Sequence, residues 1–464
     1  MNIYIPEYVN KIIYILESNG YEAYLVGGCV RDNIIGKKPY DYDVATNATP
    51  KELETIFRDF KIVDIGKKFG TITVVMKEGQ VEVTTFRIED KYIKGRKPMD
   101  VKYISNLTED LKRRDFTVNA IAYNPKVGFI DPFGGINDLK LRTIRCVGDP
   151  NERLKEDYLR ILRAVRFATQ LGFTIDVQTA NACAKFSSKL KDISKERIRD
   201  EFIKILLSDK PSYGIRLMKD LGILQVILPE MIPAIGFDQR NPHHDLTVFE
   251  HTLEVLDNAP KVLEVRVAAL FHDIGKPYTF KLDENGIGHF YGHEKTSVEI
   301  TKEVLTRLHF SNELIKNSLV LINEHMNYSK DLNKKYVKRQ LQRIGYDNLN
   351  NLIDLQIADK LSKKGDKDLS YFEEKRRILR EIVEEPYLRN HLNVNGDDLK
   401  ALGIEEGPLL GEILDYLLEV VIENPKKNNK SDLLEIVKRK YLKNWFKWRR
   451  LIWGNYLVLM ESGV

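Results

Sequence analysis

The 464-residue chain is 43% hydrophobic and 30% charged with a formal net charge of +5, apolar enough for buried cores and basic enough to permit, not demand, a nucleic-acid partner. No run of about 18 apolar residues and no basic-then-apolar start occurs, so neither a membrane span nor a secretory signal is expected, and the expected compartment is the cytoplasm. Three scattered cysteines, Cys29, Cys146 and Cys183, argue against a disulfide framework or a thiolate metal site and are expected to be reduced and buried.

The first 140 or so residues alternate helix-like and strand-like runs. Residues 6–19 have helical periodicity, 22–26 and 41–45 read as strands, 50–58 reads as a helix after a Thr-Pro start, and 71–76 with 81–87 reads as a hairpin turning at Glu78-Gly79. Between the first two strands runs YLVGGCVRDNIIGKKPYDYDVAT, residues 24–46. Gly27 and Gly28 stand between a strand and a helix, where backbone N–H groups can approach phosphate oxygens with no Cβ in the way. Asp41 and Asp43 are separated by one residue, so on a strand both carboxylates leave from one face. Such a pair suits Mg²⁺, which takes a few carboxylate oxygens together with substrate phosphates. Glu82 shares a strand face with Thr84 and is a candidate third carboxylate. Further on, LTEDLKRRDFTVNAIAYN (107–124) gathers Arg113, Arg114, Asp115, Thr117 and Asn119: arginines to neutralise a triphosphate, an Asp and an Asn to meet ribose hydroxyls.

From about Asn151 strand signals nearly vanish, and apolar-periodic segments broken near Pro211, Pro229 and Pro242 predict helices to the end of the chain. Residues 153–170 are expected to form a strong helix on which Glu156, Asp157, Arg160 and Arg163 share faces. Six of the nine histidines fall between 243 and 293. His251, His272, Asp273 and the distant Asp359 would make a mixed N/O site for a divalent transition metal, with His293 and His325 able to hold a second. Between Lys426 and Arg450 basic residues outnumber acidic ones ten to two and are interleaved with Tyr441, Trp445, Phe446 and Trp448, which suits either an RNA contact or an amphipathic packing helix.

The Gly-Gly turn with Arg31, Asp32, Gly36 and the D-x-D pair resembles the first motif of the nucleotidyltransferase superfamily, in the branch of bacterial tRNA CCA-adding enzymes and poly(A) polymerases. RRDFT followed by NA resembles that family's ribose- and phosphate-contacting motif, which implies such roles for Arg114, Asp115 and Asn119. EDYLRILRAVRFATQLGF resembles its template helix, which implies base selection by Asp157 and Arg160 with Glu156 in support. The H…HD…H…H…D pattern is similar to the HD phosphohydrolases, in which case hydrolysis of cyclic phosphodiesters or phosphomonoesters is an alternative main or second activity.

The resemblance implies an α+β chain: a nucleotidyltransferase head (1–140), a helical neck with the template helix (141–210), an HD-type helical body (211–365) and a helical, tRNA-binding tail (366–464). It implies CMP and AMP addition to the acceptor arm of tRNA from CTP and ATP without a nucleic-acid template, with Asp41 and Asp43 holding Mg²⁺. A-only addition and poly(A) synthesis are the near alternatives; GKKFGTITVVM (66–76) and the length of the Arg87–Lys102 segment favour full CCA addition. Oligomeric state is left open.

Overall fold

Alternating apolar residues near the N-terminus pack a sheet against short helices. The structure, a computed structural model, describes residues 3–63, 70–92, 98–241, 245–365 and 367–442. Helix α1 (Glu7–Ser18) buries Val9, Ile12, Ile13 and Leu16, one stripe of a 3.6-residue period. It is followed by β1 (Ala23–Val26), α2 (Gly28–Ile34), β2 (Asp43–Thr46), α3 (Pro50–Ile56), β3 (Lys61–Val63), β4 (Thr71–Val75) and β5 (Gln80–Thr85). An antiparallel ribbon, β6 (Arg87–Tyr92) and β7 (Pro98–Tyr103), leads to α4 (Leu107–Lys112), β8 (Ala122–Asn124), β9 (Gly128–Ile130) and α5 (Gly135–Lys140).

Seven strands form one sheet in the order β3-β4-β5-β2-β1-β8-β9. Strand β2 is central, antiparallel to β1 and parallel to β5, and Val44, Ala45 and Thr46 are all buried, as a strand covered on both faces requires. The sequence placed Asp41 inside this strand. It lies instead in the exposed bend before Asp43, where the backbone has not yet joined the ladder.

The helical part starts with α6 (Pro150–Glu156), α7 (Leu159–Leu171), α8 (Val177–Phe186) and α9 (Lys195–Leu206). The continuous helix expected over 153–170 is thus two helices. Asp157 is extended, at φ −151° and ψ 106°, and its carboxylate accepts from the backbone N–H of Leu159 at 3.0 Å, so a side chain restarts the helix that the backbone interrupts. Helix α7 packs against α9 and against the helix Pro211–Asp220. At Gly214 a Cβ would lie 2.6 Å from both Ile205 and Thr169, so glycine sets that close approach.

The chain divides into two compact units, Met1–Lys316 and Asn317–Val464. The second is helical, and its helix Pro408–Glu423 contributes Ile413, Leu417, Leu418, Val421 and Ile422 to a core shared with Leu433 and Val437. The fold class is α+β, and no helix among the described residues is long and apolar enough to cross a membrane. All three cysteines are free and buried.

Candidate active site

Strand β1 ends at Val26 and α2 begins at Gly28, so the chain turns at Gly27, which adopts φ +74° and ψ −130°. This is glycine territory, and a Cβ there would sit 2.8 Å from Nη1 of Arg114. The bare turn lets that guanidinium lie against the backbone. Parallel register places Asp43 of β2 opposite Glu82 of β5. Burial, reinforced by the charges of Asp41 and Glu82, pushes the Asp43 carboxyl up to about 6, with Arg114 acting in the other direction. No ion pair to Asp41, Asp43 or Glu82 occurs among the described residues, so the repulsion that Asp41 and Glu82 exert on Asp43 is not neutralised by a fixed partner.

Two arginines follow α4. Buried Asp110 takes Nε of Arg113 at 2.9 Å and Nη2 of Arg114 at 3.5 Å. Burial alone would raise the Asp110 carboxyl, yet the two guanidiniums hold it below its ordinary value. Arg114 otherwise reaches the Asn119 carbonyl at 3.4 Å, and its buried Nε has no partner among the described residues, so this cation is loosely committed and faces the cavity. Asp115 is spoken for. Its Oδ1 accepts from the Phe116 N–H at 2.9 Å and Asn119 Nδ2 at 3.1 Å, and its Oδ2 accepts from Arg163 at 2.6 Å. Against the upward pull of burial, Arg163, Asn119 and Arg160 hold this carboxyl well below the usual range. Asn119 turns its Oδ1 to Nη1 of Arg31 at 2.6 Å.

The break at Asp157 turns its carboxylate toward α9, where Arg197 grips it with Nη2–Oδ2 at 2.6 Å and Nη1–Oδ1 at 3.3 Å. Arg160 is buried and ion-paired to Glu156, and it donates to the carbonyls of Arg153 at 2.8 Å and Arg113 at 3.2 Å. The Phe167 ring carries three guanidiniums, those of Arg166 at 4.0 Å and of Arg31 and Arg163 at 5.3 Å each. An open cavity of about 570 Å³ is lined by Gly27, Gly28, Arg31, Asp41, Asp43, Arg113, Arg114, Asp115, Asn119, Asp157, Arg160 and Arg163. Of the expected site residues, Glu156 and Glu82 do not line the cavity: Glu156 is ion-paired to Arg160 and Glu82 lies in register beside Asp43.

Sequence reasoning missed Asp110, Arg166, Phe167 and Arg197. Arg197 lies 40 residues from Asp157, and the one local signal was its four-residue spacing from Glu201, which pairs with Arg166 at 2.8 Å. Parts of two expectations lie outside the described residues: 64–69 next to the GTITVVM strand, and 93–97 in the Arg87–Lys102 segment. So does most of the basic aromatic C-terminus, from residue 443 onward.

A separate cluster lies elsewhere in the first unit. His251, His272 and Asp273 are buried, with ligand atoms all within 4.8 Å of one another. Asp273 also meets Nε2 of His293 at 3.3 Å and Nζ of Lys276 at 2.7 Å. The Nδ1 atoms of His272 and His293 donate to the carbonyls of Ala269 at 2.9 Å and Phe290 at 2.8 Å, which turns both Nε2 atoms toward Asp273. Burial would raise the Asp273 carboxyl, but His272 and Lys276 hold it well below its ordinary value. His325 and Asp359 belong to the second unit; both are buried, His325 donating from Nδ1 to the Ile322 carbonyl at 2.6 Å and Asp359 pairing with Lys363 at 2.6 Å.

The chain is similar to known proteins in sequence and in fold. Residues 23–145 match the poly A polymerase head domain, 172–235 the family described as "Probable RNA and SrmB-binding site of polymerase A", and 248–364 the HD domain. The CCA-adding enzyme of Levilactobacillus brevis is 33% identical over 432 residues, covering 93% of this chain and 97% of the relative. The solved structure of the Bacillus stearothermophilus CCA-adding enzyme in complex with CTP is 28% identical, with a TM-score of 0.72 over 94% of this chain and 98% of its own. The Thermotoga maritima CCA-adding enzyme complexed with tRNA shares the fold at 21% identity, with a TM-score of 0.56 over 95% of this chain and all of its own. With three family models and a relative 33% identical over 97% of its length in agreement, the chain belongs to the family of CCA-adding enzymes and is a nucleotidyltransferase.

Proposed function

We propose that the chain extends the 3′ end of tRNA with CMP and AMP taken from CTP and ATP, in the cytoplasm and without a nucleic-acid template. The observation that carries this reading is the single cavity lined by residues from three distant motifs: Asp41 and Asp43, the Arg113–Asp115 run, and Asp157 with Arg160. In the reaction the terminal 3′-oxygen bonds to the α-phosphorus, the bond to the bridging oxygen breaks, and pyrophosphate leaves with the electron pair. Asp41 and Asp43, with Glu82 beside them, would hold Mg²⁺. Bound there, Mg²⁺ supplies charge neutralisation along the phosphates and acidifies the attacking hydroxyl. Arg31 and the loosely held Arg114 steady the triphosphate, close to the bare backbone of Gly27 and Gly28.

Asp115 and Asn119 line the ribose side of the site. Because the Asp115 carboxylate is occupied, it acts through Arg163 and Asn119, which it orients. Base selection falls to Asp157 and Arg160: an ionised carboxylate accepts, a guanidinium donates, and a wrong base leaves buried polar groups unpaired. Glu156 supports Arg160 through their ion pair. In this reading residues 1–140 are the catalytic head, 141–210 the template-bearing neck, 211–365 the HD-type body and 366–464 a tRNA-binding tail.

The test is incubation with Mg²⁺ and tRNA lacking CCA, supplied with CTP, ATP or both. CCA addition is the expected result; A added to a CC end alone would narrow the reading to an A-adding enzyme, a homopolymeric A tail would make it a poly(A) polymerase, and no incorporation would overturn it. The buried His251, His272 and Asp273 favour a second activity, hydrolysis of cyclic phosphodiesters or phosphomonoesters by an HD-type site holding a divalent transition metal. Protein loaded with Mn²⁺ or Ni²⁺ should hydrolyse a 2′,3′-cyclic nucleotide, and His272→Ala should lose both bound metal and hydrolysis while retaining nucleotide addition. Loaded protein that hydrolyses nothing would refute this second reading.

A further inference from the structure

The loop between α2 and β2 brings Asp41 to the cavity, and just before Asp41 it carries an aromatic side chain wholly in water. Pro39 is buried, Tyr40 is 102% exposed, Asp41 is exposed and Tyr42 is buried again. This alternation belongs to a pinned turn. At the loop's start Gly36 ends α2 at φ +74° and the Lys37 N–H donates to the Asp32 carbonyl at 2.8 Å. At its end the Tyr42 ring meets Tyr8 edge-on at 6.3 Å, and the Tyr42 carbonyl accepts from the Glu82 N–H at 3.2 Å. Tyr40 is therefore held out from a backbone fixed on both sides, directly next to the catalytic-site Asp41.

We infer that Tyr40 is a stacking platform for the 3′-terminal base of the RNA being extended. This inference rests on the tRNA-extending reading above. The nucleotide whose hydroxyl attacks must reach Asp41 and Asp43 while the triphosphate occupies the cavity, and its base can take support from the exposed surface beside that pair. Adjacent α-carbons are about 3.8 Å apart, so Tyr40 leaves the backbone within a nucleotide's reach of Asp41. The terminal base changes after each addition, so a useful support must tolerate any base; an aromatic face does, because stacking reads no hydrogen-bond edge. Exposed Lys37 and Lys38, earlier in the same loop, suit the phosphates that precede the terminal nucleotide.

The experiment compares wild type, Tyr40→Ala and Tyr40→Phe in nucleotide addition to tRNA lacking CCA, alongside calorimetric CTP binding without RNA. Loss of one base-stacking face should raise the KM for tRNA about tenfold in Tyr40→Ala. Tyr40→Phe, which keeps the ring, should restore it, and CTP affinity should stay at the wild-type value in both. An unchanged KM for tRNA in Tyr40→Ala would overturn the inference. So would a Tyr40→Phe variant as impaired as Tyr40→Ala, which would point to the hydroxyl, or a parallel loss of CTP binding, which would point to the loop's integrity. If wild-type protein incorporated nothing, the tRNA-extending reading itself would fall; normal wild-type addition with an unaffected Tyr40→Ala would sink the platform alone.

Discussion

Arg197 tests whether base selection depends on how Asp157 is held. The side chain reaches from α9 to clamp both carboxylate oxygens of Asp157, at 2.6 and 3.3 Å, on the stretch where the backbone leaves the helix. In Arg197→Ala the carboxylate keeps its short bond to the Leu159 N–H at 3.0 Å but loses the partner that fixes its outward oxygen. Hydrogen bonds to charged groups contribute about 1.5–3 kcal/mol. Arg197 is 37% exposed and Asp157 16%, so solvent screening brings the expected effect down to about 1–2 kcal/mol. Spent on base discrimination, that is roughly a 5–30-fold fall in the ratio of kcat/KM for the correct over an incorrect nucleotide. Arg197→Lys should lie between, since an ammonium keeps the charge but not the planar fork. The assay is incorporation of CTP against UTP and ATP on tRNA ending before the first C, with thermal melting to check the fold. Arg197→Ala protein that melts normally and discriminates as wild type does would refute the reasoning.

Gly27→Ala forces an L-residue to φ +74° and pushes Arg114 aside, and should cost about 1–3 kcal/mol together with a measurable fall in CTP affinity by calorimetry. Tyr42→Phe should leave the melting temperature unchanged or raise it, because the buried Tyr42 hydroxyl has no hydrogen-bond partner among the described residues and its removal relieves a desolvation cost. Asp115 has a folded-state pKa below its unfolded value, so its contribution is present at neutral pH and is lost as pH falls through the folded value. Chemical denaturation should therefore show Asp115→Asn less stable than wild type at pH 7, with the gap narrowing below about pH 4; a gap of constant size would contradict the linkage.

Much of the local structure was readable from the chain itself, though not the bend that leaves Asp41 outside β2. The periodic stripe of α1, the strands around the Gly-Gly turn, the β4–β5 hairpin and the D-x-D pair depend on neighbours within a few residues, where backbone period and turn chemistry act. The motif runs also named most of the residues that line the cavity, because each run is short and carries its charges together. What lay beyond sequence was pairing across distance. Nothing in the order of residues put Glu82 in register with Asp43, since that register follows from a parallel strand reached through a crossover. Nothing showed that the helix would break at Asp157, because helical propensity favoured continuity and the interruption is stabilised by a carboxylate gripped from α9. Asp115 looked like a free acceptor until the fold spent both its oxygens on Arg163, Asn119 and a backbone N–H. The chain by itself determined which charges stand at the site, and the tertiary structure decided which of them neutralise each other and which, like Arg114, remain loosely enough held to meet a ligand. A charge's availability is set by the partners that folding brings within about 4 Å, and the arginines that hold Asp115 and Asp157 came from segments 48 and 40 residues away.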